Sequence, residues 1–175
     1  ILVLGLAPSE TAREIVRKPW VAGRFVYANQ IIGRDVPALE IKSELPVLSK
    51  NGFLASHPFM PENLRKPEGK WERLEAGRLI SIAACSSCHS LTDTGIRPIA
   101  KYFPTDADAA GIKDWLSAGL YRGHIVYMPP LPLPELDRDV MSEFLAEIIA
   151  VQKTDPQRAA NYAVKGFPKD PVGGK

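Results

Sequence analysis

Sixteen prolines in 175 residues leave few stretches in which regular backbone can run unbroken. They gather in residues 37–67, 98–104, 129–134 and 156–171. A proline inside a helix removes a hydrogen bond and clashes with the preceding turn, and it biases the residue before it towards extended backbone. Helices must therefore fit between the clusters. A chain of this length can hold one modest domain with extensions, or a small domain joined to a long irregular arm, and the proline distribution favours the second. The formal net charge of +2 comes from interleaved acidic and basic residues, without the basic stripe that nucleic acid requires.

Between the prolines the pattern predicts a mostly α chain. Ser9 can cap a short helix that Pro19 should stop just before Trp20. From residue 21 to 67 the periodicity is lost, Asn51-Gly52 is a turn signal, and Pro37, Pro46, Pro58 and Pro61 prevent long helices. Residues 1–67 thus form an arm. Its apolar residues, among them Phe25, Tyr27, Ile31, Leu48, Phe53 and Leu54, are too many for a disordered linker, so it should pack on the rest of the chain or on a partner. Trp71, Leu74, Leu79, Ile82 and Ala83 make a helical run that ends at Cys85. Asp108 opens a second helix through Ile112, Trp115, Leu116 and Leu120, with Gly119 near its close. Pro134, with Glu135, Asp137 and Asp139 behind it, opens a third, whose stripe is Leu136, Val140, Met141, Phe144, Leu145, Ile148 and Ile149. Residues 154–175, rich in Pro, Lys and Gly, read as a trailing extension.

The chemistry is concentrated in five residues. Cys85-Ser86-Ser87-Cys88-His89 uses both cysteines of the chain and follows the second at once with a histidine, the spacing that attaches haem c. Each thiol can form a thioether to one vinyl group of the porphyrin, and the adjacent imidazole is then held under the iron as an axial ligand. The competing readings are a disulfide, a redox pair and half a zinc site. A redox CxxC belongs beside a βαβ pattern and a zinc site needs two more ligands at motif spacing, and the sequence offers neither.

Residues 68–153 resemble class I c-type cytochromes. In that family a glycine of the helix before the haem motif packs against an aromatic residue of the last helix, and Gly77 and Phe144 occupy those places. The resemblance also implies a distal methionine in the loop before the last helix, commonly followed by proline, which matches Met128-Pro129-Pro130. It implies that a proline carbonyl accepts the hydrogen bond of the proximal imidazole. Pro98 is the nearest candidate, although the family's usual Gly-Pro pair reads Arg97-Pro98 here. Met141 in the helical stripe, Met60-Pro61 in the arm, His57 and His124 are the rivals to Met128. A thioether favours ferrous iron whereas a second imidazole generally lowers the potential, but metal preference alone does not separate them. Arg97, Tyr102, Trp115, Tyr121, Arg122 and Tyr127 fall where the macrocycle should lie, and some of Trp115, Tyr121, Arg122 and Tyr127 are expected to line its pocket.

The expected function is single-electron transfer, since a haem with both axial positions filled by protein has none free for oxygen or peroxide. The chain is then a carrier rather than an enzyme, with redox proteins as partners and no small-molecule substrate at the haem. Resemblance to c-type cytochromes implies the periplasm or another extracytoplasmic face, because attachment requires an exported apoprotein. Residues 1–7 are apolar, too short to cross a bilayer and without the basic stretch of a signal peptide. They read either as the outer end of a membrane helix or as an ordinary buried segment. Residues 12–20, with their basic-Pro-Trp ending, are similar to the segment that follows a membrane helix in subunit I of cytochrome bd-type quinol oxidases. A soluble carrier has little need for so long an apolar-studded arm, which favours a subunit of a membrane-bound respiratory or other electron-transport complex over a free periplasmic shuttle. A haem enzyme or gas sensor with an open distal site, and a mainly structural subunit, are the other classes.

Overall fold

Each of the five described helices begins or ends at a proline, a glycine or a capping carboxylate. The structure is a computed structural model, and it describes residues 8–9, 12, 18–104, 106–122 and 127–169. Two short antiparallel strands, β1 (Trp20–Ala22) and β2 (Val26–Tyr27), are followed by five helices: α1 (Leu45–Ser56), α2 (Lys70–Cys85), α3 (Ala109–Ala118), α4 (Glu135–Thr154) and α5 (Pro156–Lys165). Three short 3-10 turns, Pro37–Leu39, Glu62–Leu64 and Ile99–Tyr102, lie between them. The described residues are mostly helical, as the apolar periodicity predicts. None of their helices is long and apolar enough to cross a membrane.

Helix α4 is the axis of the molecule. Pro134 precedes it, Glu135 and Asp137 lie in its first turn and Lys153 in its last, so both ends complement the helix dipole. Val140, Met141, Phe144, Leu145 and Ile148 are fully buried along one face, each worth roughly 1.5–3 kcal/mol of apolar transfer. Leu136, expected in this stripe, is exposed, while its neighbour Asp137 takes the buried place in the first turn. The most extensive helix contact is between α2 and α4, and α4 also packs on α3 and α5. At the α2–α4 crossing, a Cβ added to Gly77 would fall on the Val140 carbonyl oxygen and stand 2.8 Å from Phe144 Cβ. Only glycine lets the two backbones come this close.

The arm folds back on these helices. Tyr27, Ile31, Leu48, Phe53, Leu54, Met60 and Leu64 all join the buried core, whereas Val21, Leu39, Val47 and Phe59 remain exposed. Asn51-Gly52, the expected turn, is a kink inside α1, where Gly52 adopts φ 68°. Buried Asp137 of α4 accepts the N–H groups of Phe53 (2.6 Å) and Leu54 (3.2 Å) just past that kink. The backbone groups freed by the break are thus satisfied from another element.

Two expectations need correction or fall outside the described residues. The segment after residue 153 is not simply a trailing extension. Asp155 caps α5 through the Arg158 N–H (2.9 Å), and Ala159 and Ala163 are buried against α4. Phe167 then meets Phe144 and Tyr162 edgewise or tilted, and its carbonyl accepts the Trp71 indole N–H at 2.9 Å. Composition hid this because the segment's apolar residues are small or isolated. Most of the short helix expected from Ser9 to Pro19, and residues 1–7, lie outside the described residues.

Candidate functional site

Helix α2 ends at Cys85 and the chain turns at once. The Cys85 carbonyl accepts N–H groups from both Cys88 (3.0 Å) and His89 (2.9 Å), so the five-residue motif closes into a single tight turn. Both thiols are free, Cys85 buried and Cys88 half-buried. Burial, and secondarily the neighbouring Cys88, push the Cys85 thiol up to about 12. A redox CxxC operates with a depressed thiol, usually at a helix N-terminus. Here the buried sulfur sits at the opposite, electronegative end of its helix. Among the described residues no cluster of three His, Cys, Asp or Glu side chains could hold a metal ion.

His89 is aimed by the loop that follows it. Its Nδ1 lies 2.9 Å from the Arg97 carbonyl oxygen. A carbonyl only accepts, so Nδ1 carries a proton, and in the neutral ring Nε2 is the nitrogen left with a lone pair. The loop is closed by Ser90 N–H to the Ile96 carbonyl (2.7 Å) and Ile99 N–H to the Ser90 carbonyl (2.9 Å). The acceptor is therefore Arg97 and not Pro98, which was the expected one. Pro98 instead opens the 3-10 turn Ile99–Tyr102 and is buried. Arg97 has φ 45°, the left-handed region that favours glycine, which accounts physically for why a Gly-Pro pair suits this position. Tyr102 meets the His89 ring edge to face at 5.3 Å.

Cys85, Cys88 and His89 open on a cavity of about 480 Å³. Met128, Trp115 and Tyr127 also line it, together with Ile99, Phe103, Leu116, Leu120, Leu131 and Met141. The loop carrying Met128 is tied to the end of α3 by the Leu131 N–H, which donates to the Leu120 carbonyl at 3.2 Å. Two of the expected lining residues are elsewhere. Tyr121 is buried just past α3, its hydroxyl on the Met141 sulfur at 3.7 Å and its ring under the Arg138 guanidinium. Burial raises its phenol well above the ordinary value. Arg122, the next residue, points out to solvent.

The rivals to Met128 separate by position. Met60 is buried in the arm and does not line the cavity. His57 is held between Phe53 and Phe59, away from the cavity, and its Nδ1 accepts the Phe59 N–H at 3.3 Å. Met141 lines the cavity, but it is fully buried in α4 with its sulfur under the Tyr121 hydroxyl. Met128 is half-buried on a loop, and its thioether is free to turn without repacking a helix. His124 lies outside the described residues.

Sequence reasoning missed one wall. Lys18, Ala28 and Asn29 of the arm also line the cavity. No local signal marks them, since a polar residue in an aperiodic segment reads as solvated. The described lining contains two cations, Lys18 and Arg97, and no carboxylate; its remaining surface is predominantly apolar and aromatic. A cavity of this size and character suits a large apolar group with a negatively charged edge. No protein family, curated protein or solved structure matches this chain.

Proposed function

We propose that this chain is a single-electron carrier of class I cytochrome c type, holding one haem c through Cys85, Cys88 and His89, with Met128 as sixth ligand. The observation that carries this is the convergence of two thiols, one anchored imidazole and one loop thioether on a single apolar cavity. The donor set fits. Two sulfurs within one tight turn suit two thioethers, and an imidazole fixed through Nδ1 offers Nε2 as a strong-field ligand. When bound, haem c supplies iron that alternates between ferric and ferrous states, and a methionine thioether favours the ferrous one.

The residues of the chain have three tasks in that chemistry. Arg97 holds the His89 ring in one orientation and raises its basicity through the Nδ1 hydrogen bond. Leu116, Leu120, Leu131 and Phe103 exclude water, so the local dielectric stays low. The packed α2–α4 crossing keeps the cavity walls fixed, and little reorganisation accompanies a change of one charge. Partners are other redox proteins at an extracytoplasmic face. Membership in a membrane-bound complex rests on residues 12–20, of which 13–17 lie outside the described residues.

The test is maturation of the full chain with a haem c attachment system, followed by spectroscopy. A covalently haem-loaded protein, with the weak far-red ferric band of methionine ligation that disappears in Met128→His, supports the proposal. Carbon monoxide uptake by the ferrous form at neutral pH would instead indicate an open distal site and a ligand-binding role. Purification from native membranes, with haem staining of whatever co-migrates, separates a complex subunit from a free shuttle.

A further inference from the structure

We propose that the N-terminal arm completes the haem site, with Lys18 and Asn29 binding the carboxylates at the charged edge of the tetrapyrrole. This rests on the haem c reading above and adds residues outside the cytochrome-like segment. The β1–β2 hairpin brings both to the cavity: the Ala28 N–H donates to the Pro19 carbonyl at 2.8 Å, and the residues on either side of that bond, Lys18 and Asn29, both line the wall. The hairpin itself is fixed. Trp20 and Tyr27 stack at 4.1 Å, and the Arg34 guanidinium lies over the Trp20 ring at 4.6 Å.

The chemistry of the wall points to an anion. Asn29 is only 8% exposed and lines the cavity. Its Oδ1 accepts the Ile31 N–H at 3.4 Å, which leaves the amide NH₂ as the group that donates. An amide donor set in a predominantly apolar wall is a group to which an acceptor entering the cavity can bind. Lys18 adds an ammonium to the same lining, and no carboxylate of the described lining answers either group. Haem carries two carboxylates on an otherwise apolar body, and these satisfy both. Arg97, the other cation of the lining, belongs to the loop that already anchors His89.

The experiment uses the full, haem-loaded chain and begins with its intact mass. A wild-type mass without an added tetrapyrrole overturns the haem reading and this inference with it. Given the added mass, the reduction potential is measured for Lys18→Gln, Lys18→Arg, Asn29→Asp and Arg24→Gln. Arg24→Gln removes the same charge from an exposed hairpin position that does not line the cavity. Asn29→Asp keeps the acceptor for Ile31 and replaces the donor with an anion, so the turn is preserved. Removing a cation, or adding an anion, at the carboxylate edge favours the ferric state. At a fixed applied potential the ferric-to-ferrous ratio should rise about fivefold in Lys18→Gln and in Asn29→Asp, return to wild type in Lys18→Arg, and hold in Arg24→Gln. Potentials for Lys18→Gln and Asn29→Asp that coincide with Arg24→Gln would overturn the inference, and either variant alone matching wild type removes its residue from it.

Discussion

Adding one methyl group at Gly77 probes the packing on which the whole site depends. An alanine Cβ there would overlap the Val140 carbonyl oxygen, approach the Val140 carbonyl carbon to 2.6 Å and reach Phe144 Cβ at 2.8 Å. Two of these three neighbours are backbone, so no rotamer change relieves the clash and α2 must move away from α4. Overpacking of a well-filled core costs about 3 kcal/mol at the upper end of its usual range. Alanine recovers about 1 kcal/mol over glycine in a helix interior, and the net loss is about 2 kcal/mol. For a chain of this size that lowers Tm by roughly 4–8 °C. Thermal unfolding followed by far-ultraviolet circular dichroism measures it directly. A Gly77→Ala protein as stable as wild type, or more so, would show that the helices do not approach as described.

Substitutions at three further positions test separate joints. Asp137→Ala leaves the Phe53 and Leu54 N–H groups without their acceptor and should cost about 3 kcal/mol, with protease cleavage in residues 45–57 preceding global unfolding. Burial raises the Asp137 carboxyl above its ordinary 3.8, against the opposing pull of the two N–H groups. A raised acid is most favourable to the fold when protonated, so its contribution is complete below that ordinary value and is lost as pH rises through the folded pKa. Wild-type stability, measured by denaturant titration, should therefore fall relative to Asp137→Asn over that rise, and a growing wild-type advantage would contradict the assignment. Arg78→Ala strands the Glu75 carboxylate, whose side chain is 12% exposed, and removes the donors to the Ala163 and Val164 carbonyls; a loss of about 3 kcal/mol with early proteolysis of α5 is expected. Arg97→Val forces a β-branched residue into left-handed backbone and should cost more than about 1 kcal/mol, whereas Arg97→Gly should be tolerated.

The helices that hold the site were legible because each carries its own punctuation. Asp108 caps α3 through the Gly111 N–H at 2.7 Å, Pro134 opens α4, and α2 ends where the cysteine motif begins. The Gly77–Phe144 crossing was legible for a different reason, since only the family resemblance pairs positions so far apart in sequence. What stayed hidden depends on long-range geometry. Arg97, rather than Pro98, accepts from His89 because the loop closes through Ser90 and Ile96, which no local pattern specifies. Tyr121 turns inward beneath Arg138 while Arg122 turns out, a choice made by the residues packed against them. The arm's contribution of Lys18 and Asn29 to the cavity wall follows from the pairing of a short hairpin, with no periodicity to announce it. Asp137 reads as a helix-dipole residue in the sequence, and its second task appears only once the kink at Gly52 is packed against it.

Covalent attachment is the central claim, and intact-mass spectrometry of the matured chain tests it most directly. One added tetrapyrrole per chain, retained through acid–acetone extraction and absent from the Cys85→Ala, Cys88→Ala double variant, is the predicted result. A matured wild-type chain with the mass of the bare polypeptide would contradict it.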